Sequence, residues 1–215
     1  MKDFEVLLEK VLAHFAGEQF KDEVRMAKIE FFENAGILDE ASDHFELRMS
    51  QFFDWYFFTR KLSGFQQTPL EAAHMPRELR FSTQENEVLE RLKQTRHSLF
   101  EFIKFKNKEL TVRDLFKDKK ITIPDCPWTY GFNSEELFEA RLVPYNSTFA
   151  FTKGVCFHPP EANKFILSEI KKHRKDPDLN PDIFMLRLIK MRYKYERYKH
   201  VKLEQIYSNE NKVGI

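Results

Sequence analysis

The chain has 215 residues, 42% of them hydrophobic and 32% charged, with a net charge of +1. That balance excludes a disordered polymer and leaves enough apolar matter to bury a core. Phenylalanine occurs 23 times, while glycine occurs 6 times against roughly 15 in an average chain of this length, which excludes functions built on glycine-rich phosphate-cradling loops. The first residues, MKDFEVLLEK, carry acids inside the first apolar stretch and read as an amphipathic helix instead of a signal peptide. No window is apolar enough to span a bilayer; the strongest, 52–58, is interrupted by Asp54. Two cysteines, Cys126 and Cys156, are too few for a disulfide scaffold, so reduced thiols and a cytoplasmic location are expected.

Residues 4–15 place Phe4, Leu7, Leu8, Val11, Leu12 and Phe15 on one helical face, with Gly17 as a stop. A second helix carries Phe20, Val24, Ala27 and Phe31 and ends near Gly36. A third is expected over about 42–62, with Phe45, Met49, Phe52, Phe53, Tyr56 and Phe57 inward. Thr68-Pro69-Leu70-Glu71 is a capping-box pattern with proline at the first helical position, opening a short helix that ends near Pro76. Ser82-Thr83-Gln84-Glu85 is a second box, opening a helix with Val88, Leu89 and Leu92 inside.

At about residue 98 the apolar period changes from 3.6 to 2. Leu99 to Phe105 alternate as a strand, Asn107-Lys108 is a turn signal, and Leu110 and Val112 lie on the return strand. Ile121 and Ile123 form a third strand, Phe138, Ala140 and Leu142 a fourth, and Phe149 and Phe151 a fifth after Asn146-Ser147. Five short strands predict a small antiparallel barrel-like module. Pro159-Pro160 ends it and opens a helix to about Arg174. Asn180 or Asp178 caps a long final helix over about 182–207.

Three stretches, 52–74 (FFDWYFFTRKLSGFQQTPLEAAH), 90–125 and 137–162, share a pattern: an aromatic helix, a TPLE box, a serine-led strand HSLFEF, a Val-x-Asp-Leu element at 112–115, and ARLVP at 140–144. Together they resemble an uncharacterised bacterial family, similar to the N-terminal and β-module region of proteins that end in a cysteine-rich zinc tail of the SEC-C type. The resemblance covers about 50–165. The last cysteine here is Cys156 and no C-x-C or C-x-x-C spacing occurs, so the zinc tail has no counterpart. The resemblance implies a helical layer joined to a small β-module and brings no reaction and no catalytic residue.

Catalytic and metal chemistry finds little support. Cys126, Cys156 and His158 are three scattered ligands where structural zinc sites supply four at paired spacing. Cys156 and His158 share a strand face, yet no orienting group or oxyanion donor accompanies them. Asp54 sits among aromatics, but is expected to face away from the apolar stripe and to pair with Arg60 or Lys61. Asp114 is a turn residue expected to accept from its own backbone two residues on.

Two contact surfaces remain. The loop 126–132 (CPWTYGF) carries Trp128, Tyr130 and Phe132, side chains suited to filling a partner's groove or stacking on bases. Lys171 to Lys202 holds eleven Lys/Arg against four Asp/Glu, and Arg187, Lys190, Lys194 and Arg197 form a stripe beside the apolar face Phe184–Leu188–Met191–Tyr195–Tyr198. Such a stripe suits an anionic partner. The sequence is thus read as an α+β chain with a helical region at 1–96, a five-stranded antiparallel β-module at 97–158 and C-terminal helices at 159–215. The expected function is non-catalytic: a cytoplasmic adaptor or regulatory module for a protein partner, with no cofactor, no metal and no transmembrane segment. The alternative is nucleic-acid binding by the β-module and the basic helix.

Overall fold

The structure is a computed structural model that describes residues 3–126, 136–146 and 148–210. The chain is of the α+β class, and it divides into two compact units. The first comprises 1–31, 39–96 and 141–154; the second comprises 32–38, 97–140 and 155–215.

In the first unit, α1 (Asp3–Phe15) buries Phe4, Leu7, Val11 and Phe15, the stripe its spacing predicts. Helix α2 (Lys21–Ala35) contributes Ala27 and Phe31. Helix α3 (Phe45–Phe58) is shorter than expected, and its buried face is rotated in part: Phe52, Tyr56 and Phe57 are inside as expected, joined by Arg48, Gln51 and Trp55, while Phe45, Met49 and Phe53 are half-buried. The rotation rests on two polar residues that the apolar count places outside. Arg48 donates to Gln51 Oε1 at 3.2 Å and lies over the Phe31 ring, so both are accommodated in the interior. Phe31, Phe52, Trp55 and Tyr56 form an aromatic cluster with ring centroids 5.4–5.8 Å apart, and Tyr56 donates its hydroxyl to the Phe15 carbonyl at 2.7 Å.

Both capping boxes form. Thr68 and Glu71 exchange side-chain and backbone bonds at 3.2 and 2.8 Å, opening a single 3₁₀ turn (Glu71–His74) where a short α-helix was expected. Ser82 and Glu85 do the same at the start of α4 (Thr83–Leu92).

The strands are β1 (Arg96–Lys106), β2 (Glu109–Asp114), β3 (Lys119–Ile123), β4 (Leu137–Tyr145), β5 (Thr148–Phe151) and β6 (Cys156–Phe157). They run antiparallel in the order β3-β2-β1-β4-β5, with β6 on β4. Asn107 and Lys108 both have positive φ, 54° and 62°, as a two-residue hairpin turn between right-twisted strands requires. A bulge between Phe102 and Lys104 interrupts the β1–β2 register. The first half of β4 belongs to the second unit and the other half to the first, where it pairs with β5.

The core of the second unit is an aliphatic cluster with Leu99, Leu137, Ile166, Ile170, Leu188 and Met191 at its heart. These come from β1, β4, α5 (Asn163–Lys175) and α6 (Pro181–Arg197). Asn180 caps α6 by accepting from the Asp182 and Ile183 N–H groups at 2.9 and 3.4 Å. The long final helix is not continuous. It ends at Arg197, turns at Tyr198 and resumes as the short α7 (Leu203–Ile206). No proline or glycine marks this break; Leu203, Ile206 and Tyr207 reach the core cluster only if the chain turns. Among the described residues no helix is long and apolar enough to cross a membrane.

Candidate functional site

The second unit contains a cavity of about 490 Å³. One wall is the segment that leaves β6, Phe157 to Pro160. Pro159 and Pro160 fix φ and carry no N–H, so this end of the wall is stiff and apolar, while the His158 N–H donates to the Leu137 carbonyl at 2.9 Å. The other wall is a face of the last turns of α6, Arg192, Tyr195 and Glu196, with Lys199 just beyond the helix end. Residues at i, i+3 and i+4 line up on one helical face. Glu136 completes the lining.

Arg192 ties the two walls together. Its Nε donates to the Phe157 carbonyl at 2.9 Å, and its Nη1 donates to Glu196 at 3.2 Å. Nη2 has no partner among the described residues, and neither does the exposed Lys199. Glu196 is held by Arg192, and Glu136 also has contacts of its own.

His158 lies at this cavity and is 2% exposed. Its Nδ1 meets the Tyr207 hydroxyl at 3.2 Å, and its Nε2 is buried without a hydrogen-bond partner among the described residues. Burial, reinforced by the Arg192 charge, lowers the imidazole pKa to about 3, so the ring is neutral at physiological pH. Burial and the neighbouring Cys156 push the Tyr207 hydroxyl upward, so it keeps its proton. His158 therefore pairs with Tyr207, and Cys156 lies in register with Glu139 on β4. His158 is thus not bonded to Cys156 as the base of a nucleophilic pair would be.

The other residues singled out in the sequence have structural partners. Asp54 does not pair with Arg60 or Lys61. Its Oδ2 accepts from the Thr152 hydroxyl at 2.5 Å and the Gly154 N–H at 3.1 Å, while Arg60 is held by Glu23 and Glu30. Asp114 accepts from the Phe116 N–H at 3.1 Å, the bond expected of it. His97 is bracketed by two carboxylates, Glu139 at 2.8 Å and Asp182 at 3.6 Å. Among the described residues no group of three or more His, Cys, Asp or Glu is arranged to hold a metal ion.

Trp128, Tyr130 and Phe132 lie outside the described residues. In the basic stripe, Arg187 pairs with Glu169 at 3.4 Å, and Lys190 donates to the Glu33 carbonyl at 2.7 Å in the last turn of α2. Lys194 is half-buried, and burial followed by repulsion from Lys190 lowers its pKa; Arg197 is exposed. The face beside this stripe, 192–195–196–199, is the one that lines the cavity. Its signal was present in the sequence as an alternation of charge and tyrosine at helical spacing, opposite a Pro-Pro pair.

A further cavity of about 380 Å³ lies in the first unit among Phe15, Phe20, Phe65 and Met75. It is largely apolar, with His14, Gln19 and Glu78 as its polar members.

An α+β chain with an open, mixed-charge groove is the class these observations define. Over residues 5–182 the chain matches the family of unknown function DUF7986, and it belongs to that family. No curated protein and no solved structure matches it.

Proposed function

We propose that the protein is a non-catalytic interaction module that receives a segment of a partner protein in the groove between Phe157–Pro160 and the end of α6. The observation that carries this reading is the cross-wall bond from Arg192 to the Phe157 carbonyl. It holds an apolar edge and a tyrosine-bearing helix face at fixed separation, and preorganised walls reduce the ordering cost of binding. Aromatic and arginine side chains in a concave, partly desolvated setting are the usual anchors of protein recognition.

The aromatic loop with Trp128, Tyr130 and Phe132 joins this proposal on its sequence alone. A cytoplasmic adaptor or regulatory role fits the resemblance to the body of SEC-C-tailed proteins, in which a separate tail accompanies the part seen here. Nucleic-acid binding is less favoured, because Arg187 and Lys190 are spent on contacts inside the second unit.

A photo-crosslinking amino acid placed at position 195 in the host cell tests the reading, with the same group at Lys21, exposed on α2 of the first unit, as control. A discrete protein adduct at 195 and none at 21 supports it. Adducts to nucleic acid, or none at 195, overturn it.

A further inference from the structure

We propose that the occupant of this groove is an extended acidic–apolar peptide segment: a carboxylate facing Arg192 and Lys199, and a neighbouring apolar side chain against Phe157, Pro160 and Tyr195. This inference rests on the interaction-module reading and adds the chemistry of the partner.

Unsatisfied donors inside the cavity select the sign. Four charged side chains line it, two acids and two bases. Glu196 is paired with Arg192 at 3.2 Å, and neither base is bonded to Glu136. The bases are not exhausted. Arg192 uses Nε and Nη1 and retains Nη2, and Lys199 has no partner among the described residues. The donors left over, Arg192 Nη2 and the Lys199 ammonium, are positive, and they are complementary to a carboxylate. His158 adds no charge, because it is neutral.

Shape and polarity select the rest. A cavity of about 490 Å³ accepts one or two side chains and not a folded domain. The proline edge offers no backbone N–H to pair with an added strand, so recognition falls to side chains. An aromatic ring and two pyrrolidine rings facing a tyrosine provide flat apolar surfaces for an aliphatic or aromatic residue. An acid next to such a residue satisfies both features at once. A phosphate backbone satisfies only the first, and is an outcome of the test.

The probe is a fluorescein-labelled nonapeptide with blocked ends, Gly-Ser-Leu-Glu-Phe-Asp-Leu-Ser-Gly, read by fluorescence anisotropy against the full chain. Its counterpart carries Gln and Asn in place of Glu and Asp, and an oligothymidine strand serves as competitor. The acidic peptide is expected to bind about tenfold more tightly than the amide peptide, the difference one charge-assisted bond makes. Lys199→Gln is expected to weaken it roughly fivefold at low salt, and to reduce its salt dependence. Lys199 is exposed and has no partner among the described residues, so this variant is expected to fold; Arg192→Gln, which loses the wall contact as well, is the second variant and is expected to weaken binding further. Equal binding of the two peptides, no binding of either, or an unchanged affinity in Lys199→Gln overturns the proposal, as does tighter binding of the oligonucleotide. A protein adduct at position 195 together with equal peptide affinities would remove the acidic specificity and leave the interaction reading in place. No adduct and no peptide binding would remove both.

Discussion

The hydroxyl of Ser98 donates to Asp114 Oδ1 at 2.7 Å, joining β1 to the end of β2. The same oxygen accepts from the Phe116 and Lys117 N–H groups, each at 3.1 Å. One fully buried carboxylate thus turns the chain out of β2 and fixes its pairing with the strand before it. The serine of HSLFEF and the aspartate of the Val-x-Asp-Leu element are two ends of one contact. Ser98→Ala is expected to cost about 2 kcal/mol, the worth of a hydrogen bond to a charged group. Asp114→Ala removes the acceptor of three donors, of which the Ser98 hydroxyl is buried, and is expected to cost about 3 kcal/mol. Urea unfolding with unchanged slope measures both, and a loss under 1 kcal/mol for Asp114→Ala would show that the turn is held by other means.

Gly154 is required by close approach. A Cβ built there would collide with Asp54 Oδ2 and would sit 3.0 Å from Gln51 Cα and the Ser50 carbonyl. The backbone N–H of Gly154 is already bonded to Asp54, so the segment after β5 cannot move off α3 without losing that bond. Gly154→Ala is expected to destabilise by about 2 kcal/mol, as overpacking does. Asp54→Ser, which shortens one of the three obstructing groups, is expected to recover only part of that loss in the double variant. Full recovery would place the whole constraint on the carboxylate and none on the helix backbone.

Much of this architecture is legible in the chain because local rules and tertiary packing agree. The stripe of α1, both capping boxes, the Asn107-Lys108 hairpin and the Asn180 cap are each encoded within a few residues. The rotation of α3 is not, because Arg48 and Gln51 read as solvent-facing until a partner inside the unit is known. The break after Arg197 lacks any breaker residue and is imposed by the burial of Leu203, Ile206 and Tyr207. The groove was half visible: the charges at the end of α6 count toward a basic stripe in one dimension. Only folding separates Arg187 and Lys190, which are engaged with Glu169 and Glu33, from Lys199, which is not.

Glu23 makes the first unit sensitive to strong acid. Burial alone would raise its carboxyl, but hydrogen bonds from Arg60 and Ser63 and the Arg60 charge outweigh burial and hold it below its ordinary 4.5. A carboxylate whose pKa is depressed by folding contributes stability that is complete above the unfolded value and is lost as pH falls through the folded one. Glu23→Gln is therefore expected to lower stability at neutral pH while flattening the decline below pH 4.5. Thermal melts across that range check it; parallel declines in both proteins would assign the acid sensitivity elsewhere.

His158 acts in a higher window. Its ring is pushed from 6.5 to about 3, first by burial and then by the Arg192 charge, with the Tyr207 hydroxyl as its hydrogen-bond partner. The unfolded chain takes up a proton near pH 6.5 and the folded chain does not, so stability present above pH 6.5 is lost as pH falls toward 3. The expected slope in that interval is about 1.4 kcal/mol per pH unit from this one group. His158→Gln keeps a neutral polar side chain and removes the slope, so wild type and variant should converge in stability as the medium is acidified. Arg192→Gln leaves the burial in place and relieves the charge, so the ring should titrate at a higher pH there than in the wild type. Ring carbon shifts followed by NMR report the titration directly. An imidazole that protonates near 6.5 in the folded wild type would mean that the ring reaches water, and that the floor of the groove is polar instead of dry.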